Sequence, residues 1–161
     1  MNRIFPVLLA GGLAFAAAQT PSPALAKAPS AKATAKAIAV EAPWVREAPP
    51  GARVLGAYMT LVNGSEQADR LLSVSSSLAD EIEIHRMTVK NGMMDMEPIT
   101  FLTVPARGEV KLQPGGLHLM IYGVKRDLKE GDRFPMELKF EHSGSMTVDV
   151  PVRKFTGKHS H

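Results

Sequence analysis

The 161-residue chain contains no cysteine. That absence excludes disulfide bonds, thiolate metal ligands and a lipid-modified cysteine. Long hydrophobic runs are scarce as well. The longest, Ile4 to Ala18, is broken by Pro6, Gly11 and Gly12 and falls short of the roughly 20 apolar residues that span a bilayer. No G-x-G-x-x-G, P-loop, H-E-x-x-H or G-x-S-x-G pattern occurs, so the common dinucleotide, phosphate, zinc-protease and serine-hydrolase signatures are missing. No internal repeat is visible.

The first 26 residues have the form of a secretory signal. Met1-Asn2-Arg3 is a short positive start, the apolar run follows, and Ala24-Leu25-Ala26 supplies a small-x-small cleavage site. The other reading of this segment is a retained amphipathic anchor. No twin-arginine pair is present, so export of an unfolded chain is the simpler route. Cleavage would leave a mature protein beginning at Lys27, with no stable membrane insertion. In an oxidising compartment a thiol risks mispairing, whereas a thioether cannot form a disulfide and is lost mainly as its sulfoxide. Methionine is therefore the sulfur side chain that keeps its chemistry there.

An excess of one charge is also lacking once the N-terminus is set aside. The whole sequence carries 19 Lys and Arg against 16 Asp and Glu. Residues 27–40, rich in Ala, Lys, Pro, Ser and Thr, read as a flexible linker. From Glu41 onward 15 basic residues face 16 acidic ones. No basic stripe survives in that part, which argues against nucleic acid as a partner.

Residues 41–155 read as one domain of short strands. Val54 to Val62 ends at Asn63-Gly64, Leu71 to Ser75 follows, and Glu81 to Met87 alternates with period two. Asn91-Gly92 marks a turn before Met93 to Met96. Further runs are Val110 to Leu112, Leu117 to Val124, Phe134 to Phe140 and Met146 to Val152. Many short strands with turn signals and no long helical pattern predict an all-β sandwich or barrel. Trp44 and Tyr58 read as core anchors, and Met59, Met136 and Met146 as core-facing methionines.

What the sequence does have is a particular set of histidines and methionines. Side chains two apart on a strand share a face. Glu81, Glu83, His85 and Met87 therefore oppose Ile82 and Ile84, and His118, Met120 and Tyr122 oppose Leu117, Leu119 and Ile121. Both histidines fall off the expected core face, each with a methionine two positions on. Met93, Met94 and Met96 sit in a polar context after a turn, where packing explains them less well. A lone histidine is usually a surface or satisfied residue, and a lone methionine a gap-filler. Two imidazoles and two thioethers together make a soft, uncharged donor set, and soft sulfur ligands select Cu(I).

The spacing His85-x10-Met96-x21-His118-x-Met120 resembles the motif of the periplasmic copper chaperones known as the PCuAC family. The similarity extends from about Ala42 to Arg153. It includes Tyr58-Met59-Thr60-Leu61, Ile82-Glu83-Ile84-His85, Gly92-Met93-Met94-Asp95-Met96, Leu112 to Met120 and Leu128-Lys129-Glu130-Gly131-Asp132. The resemblance implies a cupredoxin-like Greek-key β-sandwich in the periplasm. It implies one Cu(I) held by His85, Met96, His118 and Met120 at the rim, with Met87 and Met94 as further candidates. It also implies copper-donor and copper-acceptor partners, among them the copper-site subunit of cytochrome oxidase or a second copper chaperone. Low pH is expected to weaken binding, because protons compete for imidazole.

Rival readings follow from the same residues. A blue-copper electron carrier needs a cysteine thiolate, and none is present. An oxygenase built on an N-terminal histidine conflicts with a mature start at Lys27. A zinc hydrolase would use His, Asp or Glu with an open position. An enzyme is not expected. The alternative of a different class is an adhesion or assembly module that uses a methionine-rich surface to bind a partner protein. At the end of the chain, residues 156–161 form a tail in which His159 and His161 are either a weak Cu(II) site or solvated side chains. His142, in the Glu141 to Gly144 turn, reads as surface.

Overall fold

The computed structural model describes residues 37–154. The segment read as a secretory signal, most of the stretch read as linker, and the tail with His159 and His161 lie outside the described residues. Ten strands form in chain order: β1 (Ile38–Arg46), β2 (Val54–Asn63), β3 (Asp69–Ser75), β4 (Glu81–Lys90), β5 (Met93–Ile99), β6 (Leu102–Val104), β7 (Glu109–Leu112), β8 (Leu117–Tyr122), β9 (Arg133–Phe140) and β10 (Ser145–Arg153). Hydrogen-bonded neighbours run β5-β4-β8-β2-β1-β10-β9-β3-β6, with β7 paired to β2. Every pairing is antiparallel except β1 with β10.

This is an all-β sandwich, as the strand pattern predicts, and of the cupredoxin-like kind that the family resemblance implies. One layer holds β5, β4, β8, β2, β1 and β7, and the other β10, β9, β3 and β6. A single hydrophobic cluster joins them. Leu61, Leu119 and Ile121 come from the first layer, and Leu71, Phe134, Met136, Leu138 and Val150 from the second; all are fully buried. Each such side chain contributes on the order of 1.5–3 kcal/mol by leaving water. Met59 and Met136 are core residues as read from their alternation, and Met146 packs against the cluster.

Two expectations shift. β1 begins at Ile38, inside the stretch read as linker, and Ile38 is completely buried opposite Asn63. The Ile-Ala-Val sequence carries strand propensity that the surrounding Ala, Lys and Pro composition masks. Tyr58 is buried, as expected, whereas Trp44 is only half-buried. They are cross-strand partners whose ring centres lie 4.5 Å apart. Ala57, Met59 and Leu61 take the phase of β2 that enters the main cluster, so Tyr58 is buried on the opposite face, against Trp44.

Candidate metal centre

The three strands that carry the candidate ligands are consecutive in the sheet: β5, β4, β8. Their registers align the side chains. His85 on β4 is the direct partner of His118 on β8, and Glu83 is the partner of Met120. Met87 on β4 is the partner of Met96 on β5, and Met120 also faces Gly56 on β2. All of these lie on the face away from the core, in phase with Tyr58 and Tyr122.

The histidines are nevertheless buried, at 7% exposure for His85 and 5% for His118. The β4–β8 ladder continues past them, with the Met87 N–H donating to the Gly116 carbonyl at 3.2 Å. Gly115 adopts a φ of 83° in the turn before β8, a conformation glycine reaches without steric penalty. A cavity of about 440 Å³ opens beside His118, lined by Met87, Met96, His118 and Met120 together with Tyr58 and Glu47; His85 is not part of its lining. Met96 is 45% exposed, so the site grades from buried imidazoles to accessible thioethers. Met94 lies on the same face of β5 two residues further out, 77% exposed and outside the cavity lining.

Hydrogen bonds fix which nitrogen of each ring is available. His118 Nδ1 lies 3.0 Å from the Gly116 carbonyl oxygen. A carbonyl only accepts, so Nδ1 carries the proton and Nε2 keeps its lone pair. His85 Nε2 lies 2.8 Å from a Glu83 carboxylate oxygen, and by the same argument Nε2–H donates. His85 Nδ1 is then a bare acceptor, buried and without a hydrogen-bond partner. Such an atom costs free energy unless something binds it. The two ring centres are 5.8 Å apart. A metal–nitrogen bond of about 2 Å puts each ring centre roughly 3 Å from a shared ion, so one ion can span the pair. The donor chemistry therefore fits a soft monovalent cation, with imidazole below and thioether above.

Burial, and secondarily the charge and hydrogen bond of Glu83, raise the Tyr122 hydroxyl above its ordinary pKa. Burial also raises that of Tyr58, against the opposing pull of Arg46. Both phenols stay neutral donors around the site. His142 is exposed and meets Gln67 at 3.4 Å, away from this centre.

The burial of the histidines and the role of Glu83 were not legible as sequence features. Glu83 precedes His85 by two residues, and that shared face was the available signal.

Comparison with known proteins agrees with this fold. Residues 38–152 match the model of a family described as "Putative lipoprotein LpqE-like". "Putative lipoprotein Lxx21020" of Leifsonia xyli subsp. xyli is 30% identical over 136 residues, covering 84% of this chain and 80% of its own. The lipoprotein description belongs to those relatives, since this sequence has no cysteine. The solution structure of CuI-DR1885 from Deinococcus radiodurans is 35% identical with a TM-score of 0.59, covering 79% of this chain and 87% of that one. The copper-bound PCuAC domain from PmoF2 is 26% identical with a TM-score of 0.64, covering 73% of this chain and 93% of that one. The chain belongs to the LpqE-like family, and its β-sandwich is related to the PCuAC copper-binding domains.

Proposed function

We propose that the protein is an exported, non-enzymatic carrier of Cu(I), holding one ion through His85, His118, Met96 and Met120 and handing it to another copper protein. The observation that carries this reading is the direct pairing of His85, with its orphaned Nδ1, to His118, which lines a cavity together with three methionines. Copper-bound relatives of the same fold support it. Met87 is a further ligand candidate because it sits opposite Met96 in that cavity.

Neutral donors stabilise Cu(I) without the anionic ligand that would favour Cu(II). The exposure gradient suits transfer: an acceptor meets Met96 first and displaces thioethers before the buried imidazoles let go. The acceptor is a copper-handling protein of the same compartment, and assembly of the cytochrome oxidase copper site is the destination we propose. His159 and His161 are proposed as a separate, weak Cu(II) site.

An anaerobic Cu(I) titration of the mature protein against a chromophoric chelator tests the reading. One tight equivalent is expected in the parent, and its loss in Met96→Ala/His118→Ala with the fold retained. No competition for Cu(I) by the folded parent would overturn it. The second reading, a partner-binding module, draws on Val89, Met93 and Met94, which are 69%, 72% and 77% exposed at one hairpin end. Met93→Ser/Met94→Ser separates the two: it removes partner binding in the module and leaves Cu(I) stoichiometry intact in the carrier.

A further inference from the structure

Glu83 is acidic, sits beside a site made of neutral donors, and takes no part in the ligand set above. Its carboxylate is 36% exposed, yet one oxygen is committed to His85 Nε2 at 2.8 Å. It shares the outer face of β4 with His85 and stands opposite Met120 on β8. Tyr122 approaches from the same strand as Met120. Its ring lies 6.3 Å from that of His85. Glu83 and Tyr122 thus flank His85 on the same face of the sheet.

We propose that Glu83 is a positioning residue that holds His85 as its Nε2–H tautomer and turns Nδ1 toward the metal. This rests on the Cu(I)-carrier reading of the same site. A neutral imidazole has one N–H and one lone pair. A carboxylate that captures the N–H decides which nitrogen is left and prevents the ring from turning about its bond to Cβ. The buried, partnerless Nδ1 is the consequence. The two histidines are then held differently: His118 by a backbone carbonyl at Nδ1, presenting Nε2, and His85 by a side-chain carboxylate at Nε2, presenting Nδ1. The anion also makes the ring a better electron donor without itself reaching the ion. Because Glu83 stands two residues from His85 on a continuous strand, the arrangement is fixed by backbone geometry.

The test uses the mature protein labelled with ¹⁵N, at a pH where imidazole is neutral. In the metal-free parent, long-range ¹H–¹⁵N spectra are expected to show His85 protonated at Nε2, with a downfield, slowly exchanging Hε2. Glu83→Ala is expected to lose that slow proton. Addition of Cu(I) should shift His85 Nδ1 and leave Nε2 protonated. Glu83→Ala is expected to weaken Cu(I) binding by about 10- to 100-fold, and Glu83→Gln, which keeps an acceptor oxygen, by less. Cu(I)-induced deprotonation of His85 Nε2, or parent-like affinity in a folded Glu83→Ala protein, would overturn the assignment while leaving the carrier reading in place. A folded parent that takes up no Cu(I) overturns both.

Discussion

At the scale of single residues, Asp69 and His85 are buried polar side chains with opposite consequences. Asp69, 3% exposed, is fully satisfied. It accepts from the backbone N–H groups of Arg70, His142 and Ser143 and from the Ser143 hydroxyl. Burial pushes its pKa up, but the Ser143 hydroxyl and the three N–H donors outweigh it and hold the carboxyl below its ordinary value. Such a group stabilises the fold at pH above its unfolded pKa of about 3.9 and loses that contribution as pH falls through the lower folded value. Asp69→Ala should therefore cost about 1–3 kcal/mol at neutral pH, because three buried N–H groups lose their acceptor. The gap between parent and variant in urea unfolding should shrink below about pH 4; a gap constant down to pH 3 would contradict the assignment. His85 Nδ1 is the opposite case, buried and unsatisfied. Asp69 anchors the turn after β9, and His85 keeps a lone pair for a ligand. The candidate ligands were legible residue by residue, because imidazole and thioether are uncharged metal donors wherever they stand. The Nδ1-versus-Nε2 choice was not, since it depends on two hydrogen bonds, to Glu83 and Gly116.

At the scale of elements, the β4–β5 hairpin sets the thioether geometry. Asn91 and Gly92 join the strands with φ of 54° and 77°, and Lys90 pairs directly with Met93. Two central residues at positive φ match the tight primed turn that suits the twist of a hairpin. The turn fixes the register that places Met87 opposite Met96. No side chain packs against Gly92, so a substitution there acts through backbone conformation alone. Gly92→Val should cost about 1–3 kcal/mol and lower Cu(I) affinity although no ligand is changed, whereas Gly92→Asn should be nearly neutral on both counts. Unfolding and chelator competition measure the two effects, and unchanged affinity in a measurably strained Gly92→Val hairpin would contradict the link. Period-two alternation made β4, β9 and β10 readable in advance, as the Asn-Gly pair did this turn. β6, only Leu102–Val104, was not, because three residues give no period. The burial of His85 and His118 escaped for a different reason: they lie on the face away from the main core, and strand alternation does not report burial there.

At the scale of the whole molecule, the site exists because strands distant in sequence become neighbours. β8 pairs with β4 on one side and with β2 on the other, while β5, β6 and β7 lie between β4 and β8 in the chain. The sequence identifies His85 and His118 as candidates on outward faces; only the pairing of these strands makes them direct partners. The same pairing sets Leu119 and Ile121 into the shared core, so the candidate face is backed by the packed cluster while Met96 stays accessible at its edge. A carrier needs that division: a preorganised imidazole floor for retention and a thioether rim for exchange. The central claim is that one ion is held by two imidazoles and two thioethers. X-ray absorption at the copper edge of the Cu(I)-loaded protein counts those neighbours directly. The account predicts a shell of two nitrogen and two sulfur scatterers, with sulfur reduced to one by Met120→Ala; a shell of nitrogen and oxygen only, unchanged by that substitution, would contradict it.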